Sequence, residues 1–194
     1  MNRWTGGKLQ DQKGYTLIEL MVTVALIGVV ATMAVPSFRE TLPHIRLKGA
    51  TRALATDLRF ARAEAVARND IIWVVFGNTG ANYTVRQGND PLVATELMSV
   101  DLSEEYTGVS LGYPGVTSRP PDFPAAVPPG AITFNTQMIR LDALGRAMGG
   151  GTDASPTSGE IYLTNSRGEV YCVTVLGTSG RVKVYKWMGG AWQS

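Results

Sequence analysis

The sequence predicts an α+β protein in which a long N-terminal α-helix packs on antiparallel β-sheet. Three observations carry this expectation. A nearly uncharged apolar run extends from Leu17 to Val35, and an amphipathic stretch rich in Ala and Arg follows from Pro43 to about Asn69. From Ile71 onward, short β-branched and aromatic runs alternate with Gly, Asn and Pro clusters.

A chain of 194 residues, 44% hydrophobic and 18% charged, suits one compact domain with an appendage rather than a disordered polymer. A net charge of +2 does not by itself imply nucleic-acid binding. The single cysteine, Cys172, cannot form an internal disulfide and is expected to be a buried strand residue. The single histidine, His44, stands beside Pro43 without companions, so no metal site and no cofactor are expected. No nucleophile–base pair suggests an enzyme, and a solvated loop accounts for Asp101, Glu104 and Glu105.

The run from Leu17 to Val35 approaches the ~20 apolar residues that cross a bilayer as a helix rising ~1.5 Å each. Arg3, Lys8 and Lys13 precede it against the lone acid Asp11, which predicts a cytoplasmic N-terminus and a globular part on the far side. Glu19 interrupts the run, at a cost of about 2.5–3.5 kcal/mol in a bilayer. A cleavable secretory signal ending at Ala34 is the rival reading. Glu19 and the resumption of helical pattern beyond Pro36 and Pro43 weigh against it. Pro36 itself lacks an N–H and is expected to kink the helix.

The segment Lys13-Gly14-Tyr15-Thr16-Leu17-Ile18-Glu19-Leu20 resembles the processing site of type IV pilins and of the pseudopilins of type II secretion. The resemblance implies a pilin fold and a prepilin peptidase that cuts between Gly14 and Tyr15 and methylates Tyr15, where the family usually has Phe. It divides the chain into a leader over 1–14, a transmembrane and filament-core segment over 15–36, an amphipathic helix half over 37–70 and a β-rich domain over 71–194. It further implies residence in the inner membrane, then assembly with other pilins or pseudopilins, with Glu19 and Pro36 as assembly positions. Glu19 would pair with the Tyr15 amine of a neighbouring subunit, turning a costly buried carboxylate into a register signal.

Beyond Pro43, Leu47, Leu54 and Ala61 recur at heptad spacing, with Ala50, Leu58 and Ala65 on the same stripe, which should pack on a sheet. The other faces carry Arg46, Lys48, Arg52, Arg59, Arg62 and Arg68 against Asp57 and Glu64. Such a surface suits phosphate, acidic lipid or an acidic neighbour, or is a solvated face with pairs such as Glu64–Arg68. The stretch LATDLRFARAEAVARND is similar to the corresponding helix of the GspH/FimT family of minor pilins and pseudopilins. That implies a minor subunit of a type II secretion pseudopilus or a type IV pilus.

Ile71–Phe76 and Tyr83–Arg86 read as a hairpin around Gly77-Asn78-Thr79-Gly80. From Asp90 to Pro129 the composition predicts a short strand or two and a long loop, without the repeated PxxP of a proline-rich ligand. Ile132–Phe134 and Ile139–Leu141 are short strand candidates. GRAMGGGTDASPTSG, which lacks the Gly-Lys-Ser/Thr ending of a phosphate loop, reads as a flexible surface loop. Glu160–Leu163, Val170–Leu176 and Arg181–Trp187 form the clearest strands, in an antiparallel meander.

In the last of these, alternation places Val182 and Val184 on one face and Arg181, Lys183, Tyr185 and Trp187 on the other. Cations and aromatics on one face can hold DNA by phosphate charge and base stacking. In the FimT branch a C-terminal Gly-Arg-x-Arg element carries DNA binding for uptake, and Gly180-Arg181-Val182-Lys183 matches it except for the final lysine, which loses the planar fork. The alternative is an ordinary hairpin strand, or one whose Tyr185 and Trp187 pack beneath a neighbouring loop.

Overall fold

The computed structural model describes residues 14–77, 80–124, 126–150 and 155–194, with the side chains of 33–38 outside that description. The chain forms two compact units, Met1–Glu40 and Thr41–Ser194. A 52-residue helix, α1 (Leu17–Arg68), contributes to each. It ends where Asn69 turns left-handed at φ 51°: the Asn69 N–H donates to the Val66 carbonyl and the Asp70 N–H to that of Ala65. Those two bonds satisfy the last carbonyls as a Schellman cap does.

In the second unit, α1 is followed by β1 (Ile72–Phe76), β2 (Asn82–Gln87), β3 (Thr95–Asp101), α2 (Leu102–Glu105) and β4 (Val109–Leu111). A 3-10 turn then leads into β5 (Met138–Leu141), β6 (Ala147–Gly149), β7 (Gly159–Asn165), β8 (Val170–Val175), β9 (Val182–Trp187) and β10 (Trp192–Gln193). They make two five-stranded sheets, ordered β3-β2-β1-β5-β6 and β10-β9-β8-β7-β4. Every neighbouring pair is antiparallel.

One stripe of α1 covers the inner faces of both sheets. Leu47, Ala50, Leu54, Leu58, Ala61 and Ala65 are buried in a single core with Ile72, Val74, Val85 and Ile139 of the first sheet and Ile161, Leu163, Val173 and Val182 of the second. The alanines let backbones approach, and the leucines fill the space between strands, each burial stabilising by about 1.5–3 kcal/mol. Thr51 shares the buried face because its hydroxyl donates to the Leu47 carbonyl at 2.7 Å.

The α+β architecture and helical stripe agree with the sequence reading, and four local expectations are corrected. The stretch read as a flexible loop contains β6, whose Ala147 and Met148 are buried, because Ala147 donates to Gly177 and accepts from Thr157 across the two sheets. Residues 151–154 of that stretch lie outside the described residues, as do Asn78 and Thr79 of the first hairpin. Ile132–Phe134 makes only an isolated bridge between Ile132 and Ile161. The acidic segment after Asp101 is a helical turn, since the Asp101 carboxylate accepts from the Ser103 and Glu104 N–H groups. β10 was not foreseen, its two residues being too few to show a period.

Leu54→Ala removes a side chain that is 1% exposed at the meeting point of helix and sheets. It should lower unfolding stability by about 2–5 kcal/mol in a denaturant titration, whereas Arg52→Ala on the exposed side of α1 should change it by less than about 0.5 kcal/mol.

Candidate functional site

In the first unit, Gly14, Tyr15 and Thr16 precede the helix and are exposed, and α1 begins at Leu17. Thr16 is its cap: the Thr16 hydroxyl accepts from the Glu19 N–H at 3.2 Å, and the Thr16 carbonyl accepts from Leu20. Glu19 is therefore the third helical residue, in the spacing of a capping box and in the half of the helix dipole that favours an anion. The sequence shows this as Thr16-x-x-Glu19, a signal obscured by the apolar run around it.

Every described side chain from Tyr15 to Thr32 is exposed, including Leu17 at 78% and Ile27 at 66%. The polar groups in this stretch otherwise turn inward on their own helix. The Thr23 hydroxyl lies 2.8 Å from the Glu19 carbonyl and 2.9 Å from that of Leu20, and the Thr32 hydroxyl donates to Val29 at 2.7 Å. Among the described residues, the Glu19 carboxylate has no hydrogen-bond or ion-pair partner. Among the described residues, too, no helix is long and apolar enough to cross a membrane; the run from Leu17 to Val35 extends beyond them. Pro36 falls within the bounds of α1, with its side chain outside the described residues, and Lys13 lies outside them altogether.

The second candidate is the outward face of β9, for which the sequence left open an exposed DNA-binding face or a strand packed beneath a neighbouring loop. Lys183, Tyr185 and Trp187 do share that face, but the loop after β4 covers it. Lys183 Nζ lies 2.6 Å from Asp122 Oδ1, and the Tyr185 hydroxyl donates to Asp122 Oδ2 at 2.7 Å. Tyr185 is 6% exposed and joins Tyr162, Val170, Cys172 and Val116 in a small core bordered by Tyr113, Trp187 and Trp192. The Trp192 indole donates to the Ser118 carbonyl at 2.8 Å. Of the four residues, only Arg181 is exposed. The loop thus engages Lys183 and Tyr185, while Trp187 is half-buried against Trp192 of β10.

The anchor of that loop is Arg119, whose guanidinium meets the fully buried Glu160 through Nε at 2.8 and 3.0 Å and through a terminal nitrogen at 2.8 Å. Glu160 was legible only as a strand residue, and Arg119 and Asp122 only as loop residues. Their pairing spans 41 and 61 positions and leaves no local signal. Cys172 lies buried in this small core as expected, with burial pushing its thiol well up and away from thiolate chemistry. His44 faces Glu169 at 3.1 Å, and among the described residues no group of His, Cys, Asp and Glu could hold a metal.

Comparison with known proteins places these features. The model of the prokaryotic N-terminal methylation motif matches residues 9–35, and that of type II transport protein GspH matches residues 50–179, more than half of the chain. The fimbrial protein EcpC of Eikenella corrodens is 42% identical over 41 residues, covering 21% of this chain and 27% of that protein. The type IV major fimbrial protein FimA of Dichelobacter nodosus is 39% identical over 51 residues, covering 26% and 32%. The chain therefore spans only about a third or less of the length of these curated relatives. Among solved structures, the type IV minor pilin FimU of Pseudomonas aeruginosa shares the fold, with a TM-score of 0.50 at 12% identity over 78% of this chain and 95% of that one.

Burial alone raises the Asp122 carboxyl, but the hydrogen bonds from Lys183 and Tyr185 and the lysine charge outweigh it, leaving the group below the ordinary aspartate value. A depressed folded-state value gives stability that is fully present above the unfolded aspartate value of about 3.9 and lost as pH falls through the folded value. The loss of thermal stability on acidification below about pH 4 should therefore be shallower in Asp122→Asn than in the native chain. Superimposable pH profiles would show that this carboxylate does not hold the loop. With a methylation motif leading into a domain that the family model matches over residues 50–179, the chain belongs to the GspH family of type II transport proteins.

Proposed function

We propose that the chain is a minor pilin or pseudopilin subunit, cut between Gly14 and Tyr15 and methylated on Tyr15 by a prepilin peptidase. It is then held in the inner membrane by the run from Leu17 to Val35, with its β-rich unit on the far side, until it enters a type II secretion pseudopilus or a type IV pilus. The carrying observation is the exposed apolar start of α1, directly after the exposed Gly14–Tyr15 junction, with one unpartnered carboxylate at Glu19. An exposed junction outside the helix is accessible to a peptidase. An apolar helix with all its described side chains exposed needs lipid or neighbouring helices around it. In this reading the chain is a substrate of the peptidase and does no chemistry of its own. The covered face of β9 gives the DNA-uptake reading no comparable support.

Mass spectrometry of the membrane-fraction protein tests the proposal. A mature terminus at N-methylated Tyr15 is expected, whereas a terminus at Val35 would replace it with a secreted protein. In the same strain, Glu19→Ala should still insert and be processed but be depleted from sheared or extracted filaments. Undiminished incorporation would remove the assembly role of Glu19.

A further inference from the structure

A groove of about 660 Å³ opens between α1 and the inner face of β8 and β9. Lys48, Arg52 and Arg59 of α1 and Lys186 of β9 line it over a floor that includes Tyr171 and Val184, and no carboxylate side chain does. Arg59 reaches only the Val182 carbonyl, at 3.4 Å, and Lys186 reaches Glu169 at 3.9 Å. Among the described residues, the side chains of Lys48 and Arg52 have no hydrogen-bond or ion-pair partner, and Ser194, at the rim, makes no ion pair with these cations.

The groove adjoins an open sheet edge. β10 pairs only with Trp187 and Lys186, so Val182 to Tyr185 of β9 have no strand partner on the side away from β8. Facing residues of an antiparallel pair alternate between bonded and unbonded. Leu176 donates to the facing Arg181 carbonyl on one side of β9, and Met188 donates to the Ala191 carbonyl on the other. Val182, Val184 and Lys186 therefore turn their backbone groups away from β8, and those of Lys186 meet Gln193. Arg59 takes the Val182 carbonyl, which leaves the Val182 N–H and both backbone groups of Val184 unpaired among the described residues. Arg59 lies beside Val182, and His44 lies beside Tyr171, which faces Lys186. β9 thus runs back along α1, with its open edge beside the cations.

Resting on the reading of the chain as one subunit among others, we propose that the groove docks an extended acidic segment of a different chain, added antiparallel to β9 in line with β10. Such a strand takes its backbone bonds from Val184 and Val182. Its alternate side chains fall on the face that Val182 and Val184 share, towards α1, where carboxylates two residues apart meet the guanidiniums. Lys48 and Arg59 stand about 16 Å apart along the helix rise, the length of about five extended residues. A second copy offers no such strand. Among the described residues every strand acid is already engaged: Glu96 by Arg86 at 3.7 Å, Asp101 by the start of α2 and Glu160 by Arg119. Phosphates would suit the cations but have no donor for the bare Val184 carbonyl, whereas a peptide backbone has one.

The test is the fluorescence anisotropy of a labelled hexapeptide of alternating glutamate and valine, titrated with the purified full chain in detergent. Saturable binding that weakens with salt is expected, and Arg52→Gln with Arg59→Gln should weaken it about tenfold. Lys48→Gln with Arg52→Gln, which removes only side chains without partners, serves the same purpose should the first pair lower the unfolding midpoint. Methylating the glutamate backbone nitrogens, which face β9 in this arrangement, should abolish binding at unchanged charge, while methylating the valine nitrogens, which face away, should not. No saturable binding to the folded chain, methylated peptides that bind alike, or an affinity indifferent to the cation variants overturns the proposal. Oligothymidine that binds through the same cations while the peptide does not would assign the groove to nucleic acid and likewise overturn it. These outcomes concern the groove alone; a chain that is never cut at Gly14 overturns the subunit reading instead.

Discussion

The fold of the second unit depends on one stripe of leucines and alanines along α1. Two sheets that share few backbone bonds, among them Ala147 to Gly177 and Thr157 to Ala147, are held at a common distance because both inner faces need the same cover. Small residues at 50, 61 and 65 set how closely the strands approach, and leucines at 47, 54 and 58 fill what remains. A charge on this stripe would have no partner within reach, and the interior would reject it. The arginines of the helix accordingly lie off it, and three of them, Arg46, Arg62 and Arg59, donate to the carbonyls of Thr107, Gly145 and Val182.

The second sheet has a further demand. β7 and β8 are buried along their whole length, so the outer face needs a cover as much as the inner one. That cover is a Pro- and Gly-rich loop with little apolar mass of its own. Its position is set by polar satisfaction. Glu160 is fully buried, and removing the Arg119 guanidinium would leave an uncompensated charge, at a cost of about 3–5 kcal/mol. Replacing both partners with well-packed apolar groups can be far less costly, so the pair specifies where the loop sits more than it stabilises the fold.

Local periodicity explains what was legible beforehand. The helical stripe, the end of α1 at Asn69 and the meander β7-β8-β9 each repeat within a few residues. The alternation in β9 was also correct: Val182 faces the main core, while Lys183 and Tyr185 face away. Period two assigns a side chain to a face but does not say whether that face is wet. The covering groups come from Arg119 and Asp122, far away in sequence and in a stretch without pattern, so the sequence left open whether the face is exposed or covered. β6 escaped for a different reason: it pairs with the neighbouring β5, but three residues beside a run of glycines are too few to show a period, and its composition reads as loop.

Glu19 shows how magnitudes separate two explanations of one residue. As the third residue of α1, behind a Thr16 cap, it interacts favourably with the helix dipole by about 0.3–1 kcal/mol. In water that would suffice to explain it. In the apolar surroundings of the proposed membrane or filament core, a lone carboxylate costs about 2.5–3.5 kcal/mol. The dipole offsets only a part, leaving roughly 2 kcal/mol to be supplied by a partner. Thr23 and Thr32 already spend their hydroxyls on their own helix, so nothing nearby in the described stretch can supply it. On the proposed reading the partner is a cation from another chain, and the Tyr15 amine freed by cleavage would supply one only after processing. Assembly would on this account be conditional on cleavage, because the same event that removes the leader creates the group that makes the buried carboxylate tolerable.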